Sequence, residues 1–279
     1  MKTRPVERTT RGIQTSDGAG VRLRRLMGGG SGLPSIDPFL MLDYFDSPNA
    51  SDYIAGFPPH PHRGFETVTY MLAGRMRHRD NHGGEGVIET GGIQWMTAGR
   101  GIVHSEMPEQ TEGLMRGFQL WVNLPAQLKM TAPAYQEHAA GKMPVEQRDG
   151  GVRVKVIAGA TSRGTAGPVT APSTDARYFD VELPAGASFE EAIPTEHAAL
   201  VVVYEGAVRF DDGKEVEALG LAQLGDGDTV RFAARELPAR ALVIAGKPLK
   251  EPVAWMGPFV MNTQQELTQA VEDYQAGRF

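Results

Sequence analysis

Two pairs of residues with identical spacing are the feature of this sequence best suited to chemistry. His60 and His62 stand two residues apart, and His104 and Glu106 repeat that spacing further along the chain. In a β-strand, residues i and i+2 point to the same face, so each pair presents two side chains in one direction. On facing strands, the pairs would direct three imidazoles and one carboxylate at a common point. This donor set suits a divalent first-row transition metal, so the sequence predicts a metal site.

The segments that contain these pairs are predicted to be extended. Pro58, Pro59 and Pro61 exclude a helix around the first pair, because proline lacks the backbone N–H that a helix requires. Gly99 and Gly101 disfavour a helix before the second pair. A single histidine in a strand is more often structural than a ligand, but two matched pairs favour ligation.

The rest of the chain consists mostly of short apolar runs separated by Gly, Pro, Asn and Asp. Such a pattern is typical of β-strands joined by turns, and many closely spaced strands predict an all-β sandwich or barrel. The clearest predicted strands are 67–72, 93–97, 118–122, 152–157, 199–204 and 241–244.

One helix is predicted, at residues 263–276. Thr263 and Glu266 form a capping-box pattern, and apolar residues then recur with helical spacing at Leu267, Ala270 and Val271. We expect this C-terminal helix to pack on the β core.

A weak internal repeat predicts two tandem barrels. The strand–glycine–strand pattern around Gly74 and Gly92 recurs around Gly206 and Gly227. We therefore expect a metal-binding domain at 1–136 and a second domain at 145–279 that includes the helix. Counted from the glycines, the positions equivalent to the four ligands are Ala192, Pro194, Ala239 and Ala241. None of these can bind a metal, so we expect one metal per chain, in the first barrel.

Composition excludes several classes of protein. A net charge of −6 argues against a nucleic-acid surface driven by electrostatics. The absence of cysteine restricts metal ligands to nitrogen and oxygen. No apolar run is long enough for a membrane span, and the N-terminal residues lack the apolar region of a secretory signal. We therefore expect a cytoplasmic protein.

Four segments resemble the pirin family. They are 37–45, 60–67, 98–106 and 257–262, the last followed by the predicted helix. The resemblance implies a bicupin, with two β-barrel or jelly-roll domains of the cupin superfamily. It also implies that iron (II or III) is held in the N-terminal barrel by three histidines and one glutamate. Residue by residue, these are His60, His62, His104 and Glu106. The donor set alone also accepts Mn, Ni, Cu and Zn.

The sequence departs from the general cupin pattern at the fourth ligand. Many cupins use a glutamate shortly after the His-x-His pair, which would be Glu66 here, whereas pirins use the later one. We therefore place Glu66 outside the ligand set, as a supporting residue. Trp95 and Trp121 either line the pocket or fill the barrel. His78 and His82 flank a predicted turn and are expected to lie outside the pocket.

The resemblance implies a quercetin 2,3-dioxygenase-like oxidoreductase that opens the ring of a flavonol with O₂. Glu106 would then be ligand and general base together. The alternative is a non-enzymatic iron-binding redox sensor that regulates a protein partner, since family members are also described in that role. A metal-binding scaffold without turnover is a third class. An open, apolar-lined cavity that reaches the metal would favour the enzyme, and a closed site would favour the sensor.

Overall fold

The computed structural model describes residues 2–29, 34–170 and 173–279. These residues are mostly β, as predicted. The strands are β1 (Val6–Thr10), β2 (Ile13–Asp17), β3 (Val21–Gly28), β4 (Phe39–Ser47), β5 (Phe57–His62), β6 (Phe65–Ala73), β7 (Met76–Asp80), β8 (Glu85–Ile88), β9 (Ile93–Thr97), β10 (Ile102–Pro108), β11 (Met115–Asn123), β12 (Ala134–His138), β13 (Val145–Gln147), β14 (Arg153–Ala158), β15 (Arg177–Leu183), β16 (Ser188–Ala192), β17 (Ala198–Glu205), β18 (Ala207–Phe210), β19 (Glu215–Glu217), β20 (Gly220–Leu224), β21 (Thr229–Ala234), β22 (Ala239–Gly246), β23 (Ala254–Met256) and β24 (Phe259–Met261). The helix α1 spans Gln264–Gln275, and short 3₁₀ turns cover Ala50–Asp52, Ala126–Leu128, Ala140–Lys142 and Asp149–Gly151.

The chain forms two compact units. The histidine unit comprises Ile13–Ala140 and Leu249–Phe279, and the apolar unit comprises Met1–Gly12 and Gly141–Pro248. This division differs from the expected domains at 1–136 and 145–279. The N-terminal end of the chain belongs to the apolar unit, and the C-terminal end belongs to the histidine unit. β1, from the N-terminal end, pairs with β20 of the apolar unit. The C-terminal segment, with β23, β24 and α1, belongs to the histidine unit.

Both units are built on the same plan. The histidine unit has a seven-stranded sheet in the order β12-β9-β6-β11-β4-β3-β2 and a four-stranded sheet in the order β5-β10-β7-β8. The apolar unit repeats this with β1-β20-β17-β22-β15-β14-β13 and β16-β21-β18-β19. The named strand pairs within these sheets are antiparallel, as a jelly-roll requires. The repeat seen in the sequence is therefore a repeat of topology.

The predicted C-terminal helix is confirmed, together with its capping box. The backbone N–H of Glu266 donates to Thr263 Oγ1 at 3.2 Å, and the Glu266 carboxylate accepts from the backbone N–H of Thr263 at 2.9 Å. Both bonds satisfy N–H groups that a helix start leaves unpaired. Leu267 and Ala270 pack against Phe259 and Met261, which anchors the helix to β24. No helix in the described part of the chain has the length and apolarity needed to cross a membrane.

The apolar unit encloses a core of aliphatic and aromatic side chains. Val154, Phe179, Phe189, Val201 and Val243 are among its fully buried members. Strand order shows that β21 is the counterpart of β10, and β22 that of β11. Ala239 and Ala241, which were counted as the equivalents of His104 and Glu106, therefore lie on β22 and not on β21. The count passed over β21 because the segment from Gly227 to β21 is shorter than the segment from Gly92 to β10.

Candidate metal centre

Two neighbouring strands bring the histidines together. β5 pairs with β10 in the antiparallel sense, with His60 opposite His104 and His62 opposite Ile102. β5 lies at one end of its sheet. Prolines are tolerated there, because an end strand does not need every backbone N–H for pairing. The proline-rich sequence thus positions the first pair without weakening the interior of the sheet.

His60, His62 and His104 form a tight cluster. One potential ligand atom from each lies within 4.8 Å of those of the other two. The ring centroids are 4.7 Å apart for His60 and His62, 4.5 Å for His60 and His104, and 5.1 Å for His62 and His104. Three imidazoles this close can share a single cation.

Burial keeps two of the three imidazoles neutral. His62 and His104 are 4% and 1% exposed. Desolvation, helped by the neighbouring histidines, holds the pKa of His62 well below its usual value, and a hydrogen bond to the Pro258 carbonyl acts in the opposite direction. Desolvation likewise lowers the pKa of His104 to about 4. A neutral imidazole is the form that binds a metal, so both are ready for ligation at neutral pH.

The hydrogen bonds around the cluster fit a metal. Three buried ring nitrogens have no hydrogen-bond partner among the described residues. They are both nitrogens of His104 and Nδ1 of His62. Buried polar atoms without partners are rare and call for an explanation such as a bound ion. His60 Nδ1 lies 2.8 Å from the carbonyl oxygen of Pro58, to which it donates as the N–H tautomer. That bond leaves Nε2 free for a metal and orients the ring.

Glu106 lies beside the cluster, fully buried on the same strand as His104. Its carboxylate accepts hydrogen bonds from Thr69 Oγ1 at 3.0 Å and from Gln119 Nε2 at 2.9 and 3.2 Å. The described residues that form the cluster are the three histidines, and Glu106 is not among them. The structure therefore brings the histidines together and holds Glu106 next to them through two polar side chains.

A cavity of about 890 Å³ opens onto this cluster. Its wall includes His60, His62 and Gln119, the apolar residues Met41, Trp121 and Trp255, and at its edge the charged residues Asp17 and Arg25. Binding sites for small molecules typically combine such an apolar lining with a few polar groups. The partly exposed His60 connects the cluster to this space.

The other predicted site residues differ in whether they line the cavity. Of the described residues, the cavity wall includes Trp121 but neither Glu66 nor Trp95. Glu66 is buried and accepts a hydrogen bond from Thr97 Oγ1 at 2.7 Å, and desolvation raises its pKa. Trp95 is buried on β9. Trp121 contacts His62 edge-on, with ring centroids 5.2 Å apart, so it joins the cavity wall to the cluster.

His78 precedes the predicted turn, on a strand, and is not among the described residues of the cavity wall. It lies on β7 opposite Glu106 of β10 and is buried. Its Nε2 lies 2.7 Å from Glu137 Oε2, and its ring packs against Tyr135 at a centroid distance of 5.3 Å. Met76 and His78 alternate with two arginines in the sequence, and this period of two was the signal for an inward-facing histidine. His82 is exposed, as expected.

Known protein sequences resemble this chain over its whole length. Sequence models of pirin and of the pirin C-terminal cupin domain match residues 20–122 and 178–279. The chain is 61% identical over 279 residues to a pirin-like protein of Caulobacter vibrioides, covering all of both chains. The chain belongs to the pirin family. This pirin is also 42% identical over 267 residues to rat pirin, covering 94% of its own chain and 88% of the rat protein.

A solved structure confirms the predicted bicupin fold of this pirin. The crystal structure of a quercetin 2,3-dioxygenase from Acinetobacter baumannii superposes with a TM-score of 0.91 at 35% identity. The match covers 99% of this chain and 98% of that protein. Both cupin domains are therefore shared with that protein.

Proposed function

We propose that this pirin is a metal-dependent dioxygenase that opens the ring of quercetin-type flavonols with O₂. In this proposal a single iron is held by His60, His62, His104 and Glu106. The observation that carries it is the cavity of about 890 Å³, which opens onto the cluster of three imidazoles. The similarity to the Acinetobacter baumannii protein supports the choice of substrate.

The cavity suits a planar aromatic molecule. Trp121 and Trp255 lie with ring centroids 5.9 Å apart and planes inclined by 32°, so they present an aromatic wall. Offset contact between aromatic faces is favourable, and the wall would hold a flavonol flat against it. The buried Trp121 Nε1 has no hydrogen-bond partner among the described residues.

In the proposed reaction the protein positions the substrate and moves one proton. The bound metal would supply Lewis acidity toward the substrate oxygens. Glu106 accepts the proton of the flavonol 3-hydroxyl, because it is the only proposed ligand that carries a carboxylate. Thr69 and Gln119 hold both oxygens of that carboxylate and fix its direction. Dioxygen then adds to the deprotonated flavonol, and the ring opens with release of carbon monoxide.

The open site distinguishes this proposal from the alternative of an iron-binding redox sensor with a protein partner. A sensor needs no space for a second molecule beside its metal. Here the apolar side chains of Met41, Trp121 and Trp255 line such a space beside the histidines. These features match the requirements of an enzyme.

The proposal is tested by turnover of quercetin. The protein is purified without oxygen, its metal content is measured, and it is loaded with Fe(II). We expect carbon monoxide release and loss of the quercetin absorbance at a rate above that of free iron. A protein that contains iron but releases no more carbon monoxide than free iron would refute the dioxygenase proposal for this substrate.

A further inference from the structure

The residue after His62 connects the histidine cluster to the C-terminal segment. Arg63 is buried at 3% exposure. Its Nε donates to the carbonyl of Arg100 at 2.5 Å, and its Nη1 donates to Asp273 Oδ2 of α1 at 2.7 Å. The guanidinium also lies 4.4 Å from the centroid of the Phe279 ring. One side chain therefore joins the His62 loop, the loop before His104, and the C-terminal helix.

Backbone contacts reinforce this connection. The N–H of Arg63 donates to Pro258, and the N–H of Val260 donates to the Arg63 carbonyl at 3.0 Å. Lys129 Nζ donates to the carbonyls of Gly64 and Val260 at 2.8 and 2.9 Å, and to Asn123 Oδ1 at 2.7 Å. Burial lowers the Lys129 pKa to about 8, so it remains an ammonium at neutral pH with an acceptor for each of its three protons.

The second ligand loop is held by Phe279. A Cβ on Gly101 would lie 2.7 to 2.9 Å from atoms of the Phe279 ring, so the ring packs directly on this glycine. The carbonyl of Phe279 accepts from Asn81 Nδ2 at 2.8 Å. Asn81 Oδ1 in turn accepts from the N–H of Val103, next to His104, at 3.0 Å.

We infer that residues 258–279, here called the C-terminal clamp, position the metal ligands and so set the metal affinity of the site. This inference rests on the proposed metal site. The clamp contacts the segments on both sides of the cluster: His62 through Arg63, and His104 through Gly101 and Val103. Three imidazoles bind one cation well only if their directions are maintained, and residues that orient ligands commonly change metal affinity 10- to 100-fold. Phe279 and Asp273 are therefore positioning residues.

Coupling between clamp and metal is reciprocal. If the clamp strengthens metal binding, the metal must stabilise the clamp by the same free energy. Hydrogen exchange of the wild-type protein tests this without any substitution. Adding Fe(II) without oxygen, or Co(II), should slow amide exchange in residues 273–279 as well as in 98–104. Exchange at 273–279 that is unchanged by saturating metal would overturn the inference.

Variants provide the second test. Phe279→Ala and Asp273→Asn should weaken Co(II) binding about 10- to 100-fold in competition with a chelator. They should also alter the visible spectrum of bound Co(II), which reports ligand geometry. The matched control is Arg278→Ala, because Arg278 binds Asp273 at 2.7 Å from the exposed side and is not needed for the Arg63 contact. Its affinity should stay within about twofold of wild type.

A stability control separates positioning from unfolding. Ile88→Val reduces packing in a buried cluster of the same unit, without touching the clamp. If it weakens Co(II) binding as much as Phe279→Ala does, or if both clamp variants bind as tightly as wild type, the inference is wrong. Wild-type protein that binds neither metal would overturn the metal site and the clamp together. Normal metal binding without quercetin turnover would remove only the dioxygenase proposal.

Discussion

Gln119 Nε2 lies 2.9 Å from one carboxylate oxygen of Glu106 and 3.2 Å from the other. Gln119 also forms part of the cavity wall. The only proposed general base of the site is thus held by a residue that faces the substrate space. A carboxylate that accepts hydrogen bonds from neutral donors keeps its direction while it remains able to accept a proton. This arrangement leads to the first prediction.

Glu106→Gln should separate metal binding from turnover. The substitution keeps the shape and an oxygen donor but removes the basic carboxylate. Some metal should remain, because three histidines still bind, while quercetin turnover should fall by about 10²- to 10⁴-fold. The measurement is carbon monoxide release at equal metal loading. Turnover equal to that of wild type would show that Glu106 is not the base.

His104→Ala should remove most of the metal, since it deletes one ring of the three-histidine cluster. His60→Ala and His62→Ala should do the same. His82→Ala is the matched control, because His82 is exposed and should leave metal content unchanged. Metal analysis after dialysis decides the prediction, and wild type should retain one equivalent per chain. Two equivalents would mean that the apolar unit also binds metal.

Acid should destabilise the metal-free protein between about pH 6.5 and 4. The pKa of His104 is about 4 in the folded protein and near 6.5 in the unfolded chain, so over this range only the unfolded chain binds that proton. The free energy of unfolding should therefore fall as the pH is lowered, by about 3 kcal/mol from this residue. Urea unfolding of chelator-treated protein measures the slope, which should be shallower in His104→Gln. An identical slope in that variant would contradict the assignment.

Trp121→Phe should weaken substrate binding without affecting the metal. The variant keeps a smaller aromatic face but loses part of the indole that borders the cavity, and an aromatic contact of this kind corresponds to about 0.5–1.5 kcal/mol. We expect KM for quercetin to rise about 2- to 10-fold. Trp95→Phe makes the same chemical change at a buried position outside the cavity wall, so it should leave KM unaltered. Equal KM values for Trp121→Phe and wild type would exclude the proposed contact.

The fold was largely predictable because its signals are local. Alternating apolar residues, glycine turns and the Thr263–Glu266 capping box each depend on neighbours a few positions away. The domain limits were not predictable in the same way. β1 crosses to β20, and α1 packs on β24 of the histidine unit. These contacts join residues far apart in sequence, and no local pattern encodes their partners.

The spacing of His60, His62, His104 and Glu106 by itself determined which residues to consider as ligands, because a strand places i and i+2 on one face. Tertiary structure alone decided how they are arranged. Antiparallel pairing of β5 with β10 sets His60 opposite His104, while Thr69 and Gln119 from the other sheet hold Glu106 beside the cluster. Tertiary structure also decided that Trp121 lines the cavity while Trp95 is buried elsewhere. Both tryptophans lie in apolar strands, and only the packing of the two sheets determines which of them borders open space.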